Sequence, residues 1–156
     1  MAKVKSKPRR FVTKREMKVE RLPWGPHDWL CRPDIIAEAE QLLLVRVNMP
    51  RGKAHEFHVH PTMEEIIYVI EGKAEQWVDR EKQILGPGEM AHIPMNVVHG
   101  TYNAGSGVLR FLAILSPAHA KGPALIDKSN EEPWRSMRRA KAPPSRPRAV
   151  RNGKRP

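Results

Sequence analysis

From Gln41 onward, apolar runs of four to eight residues alternate with breaks rich in Gly, Pro, Asn and Asp. Such a rhythm marks β-strands joined by tight turns, because a strand sends alternate side chains to opposite faces while Gly and Pro fix the bends. It predicts strands over residues 41–48, 54–60, 65–70, 74–78, 83–85, 89–93, 98–103 and 108–115. The breaks carry turn chemistry: Met49-Pro50-Arg51-Gly52, Glu71-Gly72, Asp79-Arg80-Glu81-Lys82, Gly86-Pro87-Gly88 and Ala104-Gly105-Ser106-Gly107. No helical period separates the strands, so the expected fold is all-β, an antiparallel barrel or sandwich, not a doubly wound sheet. Residues 34–40 fit a short helix or a first strand equally well. Residues 24–30, with two of the four tryptophans, read as a linker that packs back on the barrel or on a second subunit.

Composition divides the chain. At 156 residues it suits one domain, and its 15 prolines with 40% hydrophobic content leave some of it without a packed core. The net charge of +11 sits at the ends: residues 1–21 hold 9 basic and 2 acidic residues, residues 121–156 hold 11 and 3, and residues 22–120 hold 8 and 12. The organisation expected is a flexible basic N-terminal tail (1–21), a mildly acidic domain (22–120) and a disordered Pro- and Arg-rich C-terminal tail (121–156). The charge therefore describes the tails, which could grip nucleic acid through phosphate or simply stay solvated.

Several classes drop out. One cysteine, Cys31, allows no internal disulfide and no Cys-based zinc site, so nothing requires an oxidising compartment and the cytoplasm is the expected location. No apolar run nears the roughly 18 residues of a spanning helix, and no apolar core follows the basic start as in a signal peptide. No Walker loop, dinucleotide fingerprint or repeat is present.

Histidines carry the chemistry. Five of the seven fall between residues 55 and 99, and His58 and His60, two apart in a predicted strand, share a face. Two imidazoles on one inner face suit a divalent transition metal. Glu65 opens the next strand and could add a carboxylate, with Glu64 as its competitor on strand parity alone; His99 could bring a third imidazole from a later strand. His55 and His92 read as surface or supporting histidines, and His27 and His119 have no partner in the sequence. Phe57, Tyr68, Trp77, Met90 and Tyr102 could line a pocket but read first as core.

These spacings resemble the cupin family. The first cupin motif, Gly-x5-His-x-His-x4-Glu-x6-Gly, is matched by Gly52, His58, His60, Glu65 and Gly72. The second, Gly-x5-Pro-x-Gly-x2-His-x3-Asn, is matched by Gly88, Pro94, His99 and Asn103, with Asn96 where the family has Gly. Asn tolerates positive φ better than other side chains, so the turn should survive. The resemblance covers about a third of the chain. It implies a double-stranded β-helix, or jelly roll, and a metal centre held by His58, His60, Glu65 and His99, with Glu65 preferred over Glu64. The metal would be Fe(II), Mn, Ni or Zn: an octahedral ion would keep two open positions, whereas tetrahedral zinc would be saturated. Implied functions are a metal-dependent dioxygenase or isomerase acting on a small oxygenated molecule or, alternatively, a non-catalytic small-molecule binding or sensing module. A homodimer is expected from the sheet edges such a barrel exposes.

Overall fold

The computed structural model describes residues 9–139. Two antiparallel sheets carry the fold. The larger has the order β1 (Lys18–Leu22), β2 (Gly25–Cys31), β3 (Leu43–Met49), β10 (Leu109–Ser116), β5 (Glu64–Glu71), β8 (Met90–Ile93). The smaller has the order β11 (Ile126–Asp127), β4 (Ala54–Val59), β9 (His99–Asn103), β6 (Ala74–Val78), β7 (Glu81–Leu85). Among the described residues no strand hydrogen-bonds across from one sheet to the other, so the all-β fold expected from the sequence is a jelly roll of two facing sheets and not a ring of continuously paired strands.

Alternation builds the core. On β10, Leu109, Phe111, Ala113 and Leu115 turn inward and are buried, and Val45, Val47, Met49, Ile67 and Val69 meet them from β3 and β5. Burying each large side chain is worth about 1.5–3 kcal/mol, so this inner face supplies most of the drive to fold. Turn chemistry holds the register. Asn96 sits at φ 61° in the turn before β9, as the Gly-to-Asn departure requires, and its amide donates to the His60 carbonyl at 2.9 Å.

Four expectations need correction. Residues 18–21 are not tail: they belong to β1, which pairs with β2 along its length. Residues 24–30 are not a linker, because β2 starts at Gly25 and joins β1 to β3 in the large sheet. Within 121–139, the polypeptide returns along β4 through β11 and then forms α1 (Trp134–Arg139), whose Trp134 is buried against Phe57, Trp77 and Tyr102 on the outer face of the small sheet. A single large aromatic anchors a segment that lacks apolar periodicity. Residues 1–8 and the Pro-rich stretch 142–148 lie outside the described residues. Residues 34–40 are neither helix nor strand but a series of turns, with Ile35 and Ile36 amides donating to the Arg32 carbonyl at 2.8 Å.

Candidate metal centre

β4 and β9 lie side by side, and the register sets His58 directly opposite His99. Both rings point between the sheets. His60 follows one residue beyond the end of β4, on the same face as His58, and Glu65 projects inward from β5 on the opposite sheet. All four are buried, and one ligand atom from each lies within 4.8 Å of the others.

Tautomers follow from the backbone. His58 Nδ1 contacts the Glu56 carbonyl at 2.7 Å, His60 Nδ1 the Ala124 carbonyl at 2.5 Å and His99 Nδ1 the Val97 carbonyl at 2.9 Å. A carbonyl only accepts, so each Nδ1 carries the proton and each Nε2 presents a lone pair to the interior. His99 Nε2 lies 2.9 Å and His60 Nε2 3.5 Å from the same Glu65 carboxylate oxygen. Lone pairs this close to a carboxylate repel it unless a cation lies among them. His58 Nε2, His99 Nε2 and Glu65 Oε2 have no hydrogen-bond partner. The donor set therefore fits a metal ion, which would satisfy all of these atoms together.

Protonation agrees. Burial pushes His58 well below its ordinary value, helped by the His55 and His99 rings, so it stays neutral. Burial alone would raise the Glu65 carboxyl, but His60 and His99 beside it hold it well below the usual carboxylate range. On His60 burial acts downward, yet the Glu65 carboxylate and the Ala124 carbonyl carry it above its ordinary value, so without a metal a proton on His60 Nε2 can take the place beside Glu65 from which a bound cation would displace it. An ionised carboxylate among imidazoles is the state that binds a divalent cation.

The cluster closes one side of a cavity of about 430 Å³. Across from the histidines the wall is apolar: Leu43, Val45, Val47, Ile67, Phe111 and Leu115, with Trp24 and Trp29 toward β2. Such an apolar pocket with a few convergent polar groups is the usual form of a small-molecule site.

Comparison with known proteins agrees with this architecture. The family model described as "Cupin domain" matches residues 45–115. Polyketide synthase CurC of Streptomyces cyaneus is 30% identical over 124 residues, covering 80% of this chain and 79% of that protein. This chain belongs to the cupin family. Quercetin 2,3-dioxygenase of Bacillus subtilis (strain 168) is 31% identical over 77 residues, which is 49% of the chain but only 23% of that enzyme. Among solved structures, KdgF from Halomonas sp. superposes with a TM-score of 0.61 at 24% identity, covering 69% of this chain and 93% of that one.

In this cupin Glu64 is exposed and contacts His92 Nε2 at 3.1 Å on the outer surface, so the two compete for no interior role. His119 is exposed. His55 does line the cavity, although alternation from His58 would turn it outward: the β4–β9 register slips between His55 and His58, and this irregularity puts both on one face with ring centroids 3.7 Å apart. Burial pushes His55 down to about 3. None of Phe57, Tyr68, Trp77, Met90 or Tyr102 lines the cavity; Tyr68 and Met90 are exposed partners across β5 and β8, and the other three pack under Trp134. Cys31 donates to the Leu42 carbonyl at 3.4 Å and is half-buried. Among the described residues no helix is long and apolar enough to cross a membrane.

Sequence reasoning missed His27. The residue is 3% exposed, Nδ1 contacts the Gly25 carbonyl at 2.9 Å, and Nε2 is buried without a partner. Leaving such an atom unpaired costs about 1–3 kcal/mol. Only the inward alternation of His27 and Trp29 in residues 24–30 could have disclosed it, and Gly25-Pro26 reads as a turn.

Proposed function

We propose that this cupin holds one divalent transition metal through His58, His60, Glu65 and His99 and uses it to bind and transform a small oxygenated molecule with an apolar, ring-containing body. The observation that carries the reading is the meeting of three inward imidazole lone pairs and a carboxylate at the side of an apolar cavity of about 430 Å³. A metal there would act as a Lewis acid on substrate oxygens and, when octahedral, leave two positions for them. The chain's own residues would do the rest. The backbone carbonyls at 56, 97 and 124 fix the three imidazoles, and Val45, Val47 and Phe111 exclude water and hold the apolar body.

Two relatives carry names that refer to oxygenated compounds, quercetin and a polyketide, and match 49% and 80% of this chain. Their chemistry supports a chelating oxygen pair on a planar frame as the ligand class, with dioxygenation or isomerisation as the reaction class. The test is spectroscopic titration of metal-loaded protein with kaempferol, a flavonol that chelates through adjacent oxygens. A metal-dependent shift of the flavonol absorption band, lost in Glu65→Ala, is the expected result. Binding that is the same with and without metal would refute the chelating reading and leave a simple apolar carrier.

A further inference from the structure

Among the described residues, one unpaired buried polar atom on a residue lining the cavity plays no part in the metal cluster: His27 Nε2. His27 lies on β2 of the large sheet, paired with Val47 of β3, on a wall otherwise built from Val45, Val47, Trp29 and Leu43. Its placement is specified. Gly25 adopts φ 137°, and a Cβ there would fall 2.2 Å from the Asn48 carbonyl oxygen, so the backbone that presents the Gly25 carbonyl to His27 Nδ1 requires glycine. With its proton on Nδ1, Nε2 offers a lone pair and only accepts. Trp24 meets the ring edge-on at 4.1 Å between centroids and supplies no hydrogen-bond partner.

The same tryptophan links His27 to the centre. Trp24 stacks on His55 at 4.1 Å, and His55 stacks on His58 at 3.7 Å. With the first step also 4.1 Å, the His27 and His58 rings are at most about 12 Å apart. That bound admits between the two rings a molecule of no more than two or three fused or linked rings.

We propose that His27 Nε2 anchors the far end of the ligand by accepting a hydrogen bond from a phenolic or enolic hydroxyl. Resting on the reading of the cavity as a small-molecule site, this narrows the ligand to one with two separated polar ends: oxygens for the metal and, across an apolar body, a hydroxyl donor. A keto or ether oxygen there has no hydrogen to give and leaves Nε2 unpaired. The residue is thus a positioning and specificity residue, and it acts on binding without metal.

The test uses β-naphthol and its methyl isostere β-methylnaphthalene, which differ only in the hydroxyl donor, measured by equilibrium dialysis. Metal-loaded wild type should bind naphthol about fivefold to tenfold more tightly than methylnaphthalene, as one buried hydrogen bond gives. His27→Phe, which keeps a ring and removes the acceptor, should abolish the preference, and His27→Gln should restore part of it; His27→Leu removes the same acceptor should the phenyl ring not fit. A preference that persists in both His27→Phe and His27→Leu, or a wild type that takes up neither compound, overturns the proposal. The double variant His58→Ala, His60→Ala separates the two readings. Preference kept there and lost in His27→Phe supports the anchor whatever becomes of the metal; preference lost there and kept in His27→Phe places the hydroxyl on the metal, refuting the anchor and leaving the proposed function intact.

Discussion

Around the cavity, the inner face of the large sheet and the inner face of the small sheet bury opposite chemistry. Val45, Val47, Ile67, Phe111 and Leu115 line one; His55, His58, His99, Gln76 and Thr101 line the other. The apolar wall gains free energy from every side chain it removes from water. The polar wall must satisfy each group it buries: Thr101 Oγ1 donates to Gln76 Oε1 at 2.6 Å and the imidazoles donate to backbone carbonyls, but the Nε2 atoms of His58 and His99 are left over. One wall holds the fold together and the other is held in place by it. Glu65 and His27 are the two polar groups that the large sheet adds to the cavity, and they are the groups assigned here to the metal and to the ligand's far end.

The comparison breaks most directly by truncating each wall in metal-free protein. Phe111→Ala should destabilise by about 3–5 kcal/mol in urea unfolding, as for other buried aromatics. His99→Leu should cost less than about 1 kcal/mol or stabilise, because it removes an unpaired buried polar atom along with one hydrogen bond. Equal losses would show that the polar wall carries the fold as well.

A smaller effect comes from outside both walls. Trp134 anchors α1, and the segment leading to it supplies the Ala124 carbonyl to His60 Nδ1 and pairs β11 with His58 and Val59 of β4. Trp134→Ala should loosen that segment and weaken metal affinity about 10- to 100-fold by competition with a chromophoric chelator, the range for losing support behind a ligand. Unchanged affinity would mean that His60 is oriented without it.

The smallest expected effect is on pH dependence. Burial holds His27, His55 and His58 below their ordinary values in the fold. As pH falls through about 6.5 the unfolded chain takes up protons at these residues that the folded chain refuses, so stability falls; His60, raised by Glu65, works the other way. Metal-free protein should lose about 1 kcal/mol or more between about pH 7 and pH 5, and substituting His55 with Phe should flatten part of that slope. A slope unchanged by His55→Phe would remove this histidine from the explanation.

The contrast between walls also governs what the sequence could disclose. Strands β3 to β10 were readable because their inward positions are apolar or belong to a spaced motif, and their ends carry Gly, Pro or Asp. The cluster of His58, His60, Glu65 and His99 was legible through its match to the cupin motifs: spacing alone put His58 and His60 on one face but left Glu64 and Glu65 open. β1 was not, since Lys18, Val19, Glu20 and Arg21 are all exposed on an edge strand and give no alternation. β2 opens on Gly25-Pro26, which imitates a turn. His55 reaches the cavity only through the register slip in β4, and a slip leaves no local mark in composition. The C-terminal segment is held by the short β11 pairing and by Trp134, too little apolar pattern to register against eleven basic residues.

The central claim is that His58, His60, Glu65 and His99 hold one metal ion. Metal content by mass spectrometry, on untagged protein purified without added metal, tests it most directly when set beside the His58→Ala, His60→Ala variant with both shown to be folded. Near-stoichiometric Fe, Mn, Ni or Zn in the wild type, absent from the variant, is the predicted result. A wild type that carries no metal after reconstitution, or a variant that keeps it, would contradict the account.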